Sequence, residues 1–130
     1  MIVYVRYKGT QNSQEETKMK IENTEKMRAD VASTLTEVFC HADARLEKIV
    51  TPNGFTINHP VVLRKGITWD SQMWLAVEVS SYDGSLYLWD EHDELHMVIE
   101  PKLFKNKMTM IAYLVKIIMD KAQQDMITIY

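Results

Sequence analysis

The stretch LWDEHDELHMVIEPK, residues 88–102, sets five acids and two histidines between two apolar runs, in a chain that has only four histidines. Such residue types could hold a metal. His92, Glu94 and His96 alternate, so a strand extended backward through the turn would place all three on one side, where a divalent ion needs them. No distant fourth ligand accompanies them. A solvated turn joining two strands accounts for the same residues, with the charges left in water.

A second arrangement uses Glu100-Pro101-Lys102, placed after a strand and before a helix. It is similar to the acid-x-Lys order by which restriction-type nucleases hold a magnesium and a water, with Asp90 or Asp70 as the partner acid. The intervening proline and the lack of a basic surface argue against it. Cys40 and His41 are adjacent, so on a helix their side chains diverge by about 100° and form no nucleophile and base pair. Cys40 reads as a small packing residue. The chain contains neither a phosphate-binding glycine loop nor a GxSxG elbow, and its four glycines leave little room for one. No catalytic residue, metal or cofactor is assigned.

The elements that would position these residues follow from composition and period. At 130 residues and 46% hydrophobic, the chain suits a single α+β domain, 1–130, that buries roughly two-thirds of its unfolded surface. Fifteen Lys and Arg against eighteen Asp and Glu give a net charge of −3, with no basic window to mark direct nucleic-acid binding. A single cysteine and the absence of an opening apolar leader with a cleavage site fit a reducing cytoplasm. Met108 to Met119 is the longest nearly apolar run and falls short of the ~20 residues of a membrane span.

IVYVRYK (2–8) reads as a strand, TQNSQEET (10–17) as a loop and KMKIE (18–22) as a short return strand, together an N-terminal hairpin. Asn23 or Thr24 caps a helix. Met27, Val31, Leu35, Val38, Ala42, Leu46 and Ile49 extend one stripe from about 24 to 49, with a hydroxyl-rich middle that favours a break near Cys40-His41. Pro60 limits the next segment to one short edge strand around 61–64.

MWLAVEVSS and SLYLWD flank Asp83-Gly84, the signature of a type I′ hairpin. With Tyr82 opposite Ser85, Val79 faces Leu88 and Glu78 faces Trp89. A third strand, LHMVIEP, places Trp89 opposite His96 and Leu88 opposite Met97. Alternation then gives an aliphatic face of Met73, Leu75, Val77, Val79, Leu86, Leu88, Leu95, Met97 and Ile99. The other face carries Trp74, Ala76, Glu78, Ser80, Tyr82, Tyr87, Trp89, His96, Val98 and Glu100.

From Asn106 or Lys107 a second helix presents Met108, Ile111, Ala112, Val115, Ile118, Met119 and Ala122 as its core stripe. Met110, Leu114 and Ile117 fall on a separate arc, with Lys121 nearby, and are expected to contact another copy of the chain. MITIY (126–130) reads as a final strand. The order is β-β-α-β-β-β-β-α-β, a mixed, mainly antiparallel sheet packed against two helices.

The aromatic face is therefore expected to bind a protein partner through Trp74, Glu78, Tyr82, Tyr87, Trp89 and His96. The chain reads as a small non-enzymatic interaction protein, self-associating, of the general character of inhibitor or immunity-type proteins of phages and other mobile elements. Two alternatives compete. One is a small metal-dependent hydrolase or nuclease using Asp90, His92, Glu94, His96 or Glu100. The other is a protein that sequesters a small ligand in a pocket at a subunit junction, with Arg6, Arg64 or Lys65 meeting an anion.

Overall fold

The structure is a computed structural model and describes residues 3–4, 19–39, 42–64, 74–90 and 94–124. In chain order its elements are β1 (Val3–Tyr4), α1 (Thr24–Val38), β2 (Ala42–Ala44), β3 (Ile49–Val50), β4 (Thr56–Ile57), β5 (Val61–Arg64), β6 (Trp74–Val79), β7 (Leu86–Asp90), β8 (Glu94–Ile99), a 3₁₀ turn at Pro101–Leu103 and α2 (Lys107–Gln124). The class is α+β, as the patterning implies. Six strands form one sheet in the order β1-β8-β7-β6-β5-β2, antiparallel throughout except for the parallel pair β1–β8, and β3 and β4 make a separate two-stranded ribbon. The rest of the expected first strand, Cys40-His41, Met73, residues 91–93 of the acidic turn and the expected strand 126–130 lie outside the described residues.

Local chemistry sets the helix starts. The Lys26 amide donates to Asn23 Oδ1 at 2.9 Å, and the Thr109 amide donates to Asn106 Oδ1 at 2.8 Å, so each Asn satisfies one orphan amide of a first turn. α1 ends at Val38, well short of 49, because Phe39 turns extended (φ −119°, ψ 122°) and buries its ring. The apolar positions Ala42, Leu46 and Ile49 keep helical phase by coincidence. Ala42 belongs to β2, Leu46 is exposed, and Ile49 packs on the opposite side of the sheet.

The structure departs from the sequence pattern at three further places. Residues 19–22 form no strand, and β1 pairs with β8 (Val3↔Met97) instead of with a hairpin partner. β5 spans the anticipated residues but lies inside the sheet, between β6 and β2. Pro60 costs that ladder no donor, since it stands before the first strand residue, Val61, and only its carbonyl is used, accepting the Arg45 amide at 2.9 Å. The β6–β7 connection is also longer than a two-residue turn. Among the described non-glycine residues only His59 has positive φ, so Asp83 does not take the first I′ position, and Gly84 (φ 79°) alone is left-handed. The Gly84 amide donates to the Ser80 carbonyl at 2.9 Å, Ser85 N–H to Asp83 Oδ1 at 2.9 Å, and the strands meet at Val79↔Leu86. That offset is two residues from the anticipated register, and an even offset keeps every side chain on its face. Gly84 is required twice over, because a Cβ there would also sit 2.5 Å from the Ile21 Cβ.

The inner core therefore lies where the alternation places it. Leu63, Leu75, Val77, Leu86, Leu88, Met97 and Ile99 meet Met27, Val31 and Leu35 of α1 and Met110, Ile111, Leu114 and Ile118 of α2. Each fully buried Leu or Ile contributes about 1.5–3 kcal/mol relative to exposure. Beneath the end of β7, Asp90 and Lys121 are both buried with Nζ 3.7 Å from Oδ2, pinning the last turns of α2 to the sheet.

α2 is rotated from its anticipated setting. Met110 and Leu114, assigned above to contact with another copy, are fully buried in the chain's own core, and Ile117 packs half-buried at its margin. Met108 and Met119, assigned to the core, are 81% and 55% exposed. The helix lies against α1 as well as the sheet, so its buried stripe bisects the two apolar arcs. Leu114→Ala should cost about 2–5 kcal/mol of unfolding free energy. Met119→Ala should change it by under about 0.5 kcal/mol. Urea titration of both variants checks this orientation of α2.

Candidate docking surface on the outer face

On the far side of the sheet from both helices, alternation gathers Val62 of β5, Trp74, Ala76 and Glu78 of β6 and Tyr87 and Trp89 of β7. Trp74, Glu78, Tyr87 and Trp89 thus share one face, as the pattern implies. That face is not left open. The β3–β4 ribbon lies on it, with Ile49 and Ile57 turned inward to form a second apolar cluster with Val62, Ala76 and Trp89, margined by Trp74, Tyr87 and Leu95. Trp89 is 7% exposed and Glu78 8% exposed, whereas Trp74, Tyr87 and His96 are half-buried.

The register at β8 explains His96 and Leu95. A bulge between Leu88 and Trp89 brings Trp89 opposite Leu95 instead of His96, while Leu88 still faces Met97 and Leu86 faces Ile99. One extra residue in the bulged strand is His96, and beyond it the facing reverses, sending Leu95 to the outer cluster. Tyr82 belongs to neither face. It stands 92% exposed at the β6–β7 turn, beside a cleft of about 460 Å³ whose walls include Lys20, Asp83, Pro101 and Lys102.

Glu78 is a buried carboxylate of the outer layer. Its Oε2 accepts the Asn58 main-chain N–H at 2.8 Å and the Asn58 amide at 3.2 Å, and its Oε1 accepts the Trp89 indole N–H at 3.2 Å. A buried acceptor of this strength needs such donors to offset the loss of water. Arg28 does the complementary work from α1. Its Nε donates to the His59 carbonyl at 2.7 Å and its Nη2 to the Arg45 carbonyl at 2.6 Å, so one guanidinium holds both ends of the segment that carries the ribbon.

The ribbon segment also meets water. Val50 and Phe55 are 67% and 52% exposed, and the Phe55 ring lies 6.3 Å from that of Trp89. Phe55, Val50 and Asn58 carry no signal in the periodic patterns. The available clue was Asn53-Gly54 followed by the strand-forming FTI, which marks a second hairpin.

Of the residues offered for a metal-dependent site, His92 lies outside the described residues. Among the described residues no group of three or more His, Cys, Asp or Glu side chains is placed to hold a metal ion. Asp90 and Glu100 fall at opposite ends of the β7–β8 pair, Asp90 beside Lys121 and Glu100 within 3.9 Å of Lys102. Of the cations suggested for an anion site, Arg64 is exposed on β5, and Arg6 and Lys65 lie outside the described residues.

On the helical side, Asp30 is ion-paired with Lys107 and lies 3.6 Å from Lys26, on the wall of a groove of about 350 Å³ between the helices. The hydrogen bond from Lys107 is the main influence that lowers the Asp30 carboxyl below its ordinary 3.8; partial desolvation opposes it, and the charges of Lys107 and Lys26 assist. A carboxyl depressed in the folded state adds stability above its unfolded pKa, and that stability is lost as pH falls through the folded one. Asp30→Asn should therefore lower stability at neutral pH, and the gap from the wild type should close below about pH 4; denaturant titrations across pH 2–7 measure it. Compared with protein-family models, curated proteins and solved structures, the chain matches none.

Proposed function

We propose that this chain is a small non-enzymatic interaction protein that acts by binding a protein partner on its outer layer. The observation that carries the proposal is the pair Val50 and Phe55, both largely exposed on the ribbon segment that covers Trp89. Aromatic and aliphatic side chains set over a buried, hydrogen-bonded layer suit a contact centre, because they lose little conformational freedom on docking and already lie on a supported surface. The site is the aromatic face anticipated from the alternation, moved outward by one layer, so that Trp89 and Glu78 support it from below while Trp74 and Tyr87 border it. A reducing cytoplasm suits the single cysteine.

The test uses immobilised wild type, the Val50→Ser/Phe55→Ser double variant and Met119→Ser in a lysate of the host. A partner retained by wild type and by Met119→Ser, but lost from the double variant, is expected. The double variant should melt within about 4 °C of the wild type, the shift that roughly 1 kcal/mol produces at this size. Equal capture by all three proteins, or capture by none, would overturn the proposal.

Self-association is a second reading, favoured by the stripe Met108, Ala112 and Met119 exposed along α2. It replaces Met110, Leu114 and Ile117 as the candidate contact between copies. Light scattering should give twice the 15.2 kDa chain mass for wild type and the single mass for Met108→Glu/Met119→Glu. A monomeric wild type would end this reading.

A further inference from the structure

We infer that residues 46–59, which carry the β3–β4 ribbon, are a lid on the outer face, hinged at two clamped feet and held shut by the Glu78 carboxylate. The inference stands on geometry and is independent of whether a partner docks there.

Three observations lead to it. First, the ribbon is not part of the six-stranded sheet: among the described residues β3 and β4 pair only with each other, at Ile49↔Ile57 and Val50↔Thr56. Two strands of two residues have little stability of their own. The tip adds only local bonds, Gly54 N–H to the Thr51 carbonyl at 2.9 Å, Thr51 N–H to the Phe55 carbonyl at 2.8 Å and Phe55 N–H to Thr51 Oγ1 at 3.0 Å. These bonds move with the ribbon.

Second, the feet are fixed independently of the ribbon's position. Arg45 N–H donates to the Pro60 carbonyl, and Arg28 reaches the carbonyls of both Arg45 and His59. Between the latch and the fixed foot stands His59, whose φ of 45° is left-handed and immediately precedes a proline, where crowding disfavours helical conformations of either hand. Such a residue stores strain that rotation at the hinge would release.

Third, apart from the apolar contacts of Ile49, Ile57 and Phe55, the described polar bonds between the ribbon segment and the sheet face converge on one residue. Both Asn58 donors meet Glu78 Oε2, and the other Glu78 oxygen holds the Trp89 indole. Opening therefore breaks the two bonds from Asn58 to Glu78 and the apolar contact around Ile57, and leaves the inner core untouched. It brings Trp89, Val62 and Ala76 to water. A segment with few buried contacts and its own short ladder belongs at the low end of the range of local opening energies.

Native-state hydrogen exchange on the intact chain tests this, read at the Asn58 amide and the Trp89 indole against the Val77 and Leu88 amides of the sheet. In wild type the first pair should exchange through an opening nearly insensitive to low denaturant, the second only through global unfolding. Glu78→Gln keeps the shape but puts an NH₂ where a donor needs an acceptor. It should speed exchange at Asn58 and Trp89 by about tenfold or more relative to Val77 and Leu88, the size of one lost bond to a charged group. Asn58→Ala, a change at an exposed position that leaves the main-chain bond, should do the same to a smaller degree at Trp89. Exchange of all four groups with one free energy and one denaturant slope would overturn the lid, as would variants that accelerate all four equally.

Discussion

A sheet whose central strands are apolar on both faces has to be covered twice, and the arrangement of this chain follows from that requirement. β6 alternates Leu75, Val77 and Val79 with Trp74, Ala76 and Glu78, and β7 alternates Leu86 and Leu88 with Tyr87 and Trp89. Both helices lie on the aliphatic side. The ringed side is left to the short ribbon, which is the thinnest cover that two isoleucines and a phenylalanine can make. Glu78 sets where the cover sits, because a carboxylate within an apolar layer is tolerable only beneath donors, and Asn58 brings two. Polarity thus locates what hydrophobicity alone would leave free to slide.

Period-two and capping signals were legible in the residues themselves. The aliphatic face from Leu75 to Ile99 and the asparagine that opens each helix are local properties of the chain; they survive a register offset of two, and the bulge at His96 moves Leu95 from that face to the other. Properties set by neighbours were not legible. The helical phase of Ala42, Leu46 and Ile49 is indistinguishable from a continued α1, although those side chains face three different environments. On α2 the apolar positions cover so much of the circumference that period cannot choose the buried direction. The companion helix decides it, putting Met110 and Leu114 inward and Met108 outward.

The outer site divides along the same line. That Trp74, Glu78, Tyr87 and Trp89 share a side follows from alternation. That something lies over them depends on residues remote in sequence, joined through Arg28 to carbonyls at 45 and 59. Tyr82 was grouped with the face by parity, yet it belongs to a turn where parity has stopped applying. The acids of residues 88–102 drew attention as a cluster, but among the described ones the strand ladder separates Asp90 from Glu100. Asp90 goes inward to Lys121 and Glu100 to the far end of β8.

The parallel pairing of β1 with β8 bears on how the molecule is made. Val3 meets Met97 across most of the chain, while the pairs β5–β6, β6–β7 and β7–β8 join sequence neighbours. On a ribosome the first strand emerges long before its partner exists, so the hairpins can assemble while it waits. Closing that border is the slow, non-local step, and until it occurs β8 offers a bare row of amides and carbonyls to any other nascent strand nearby.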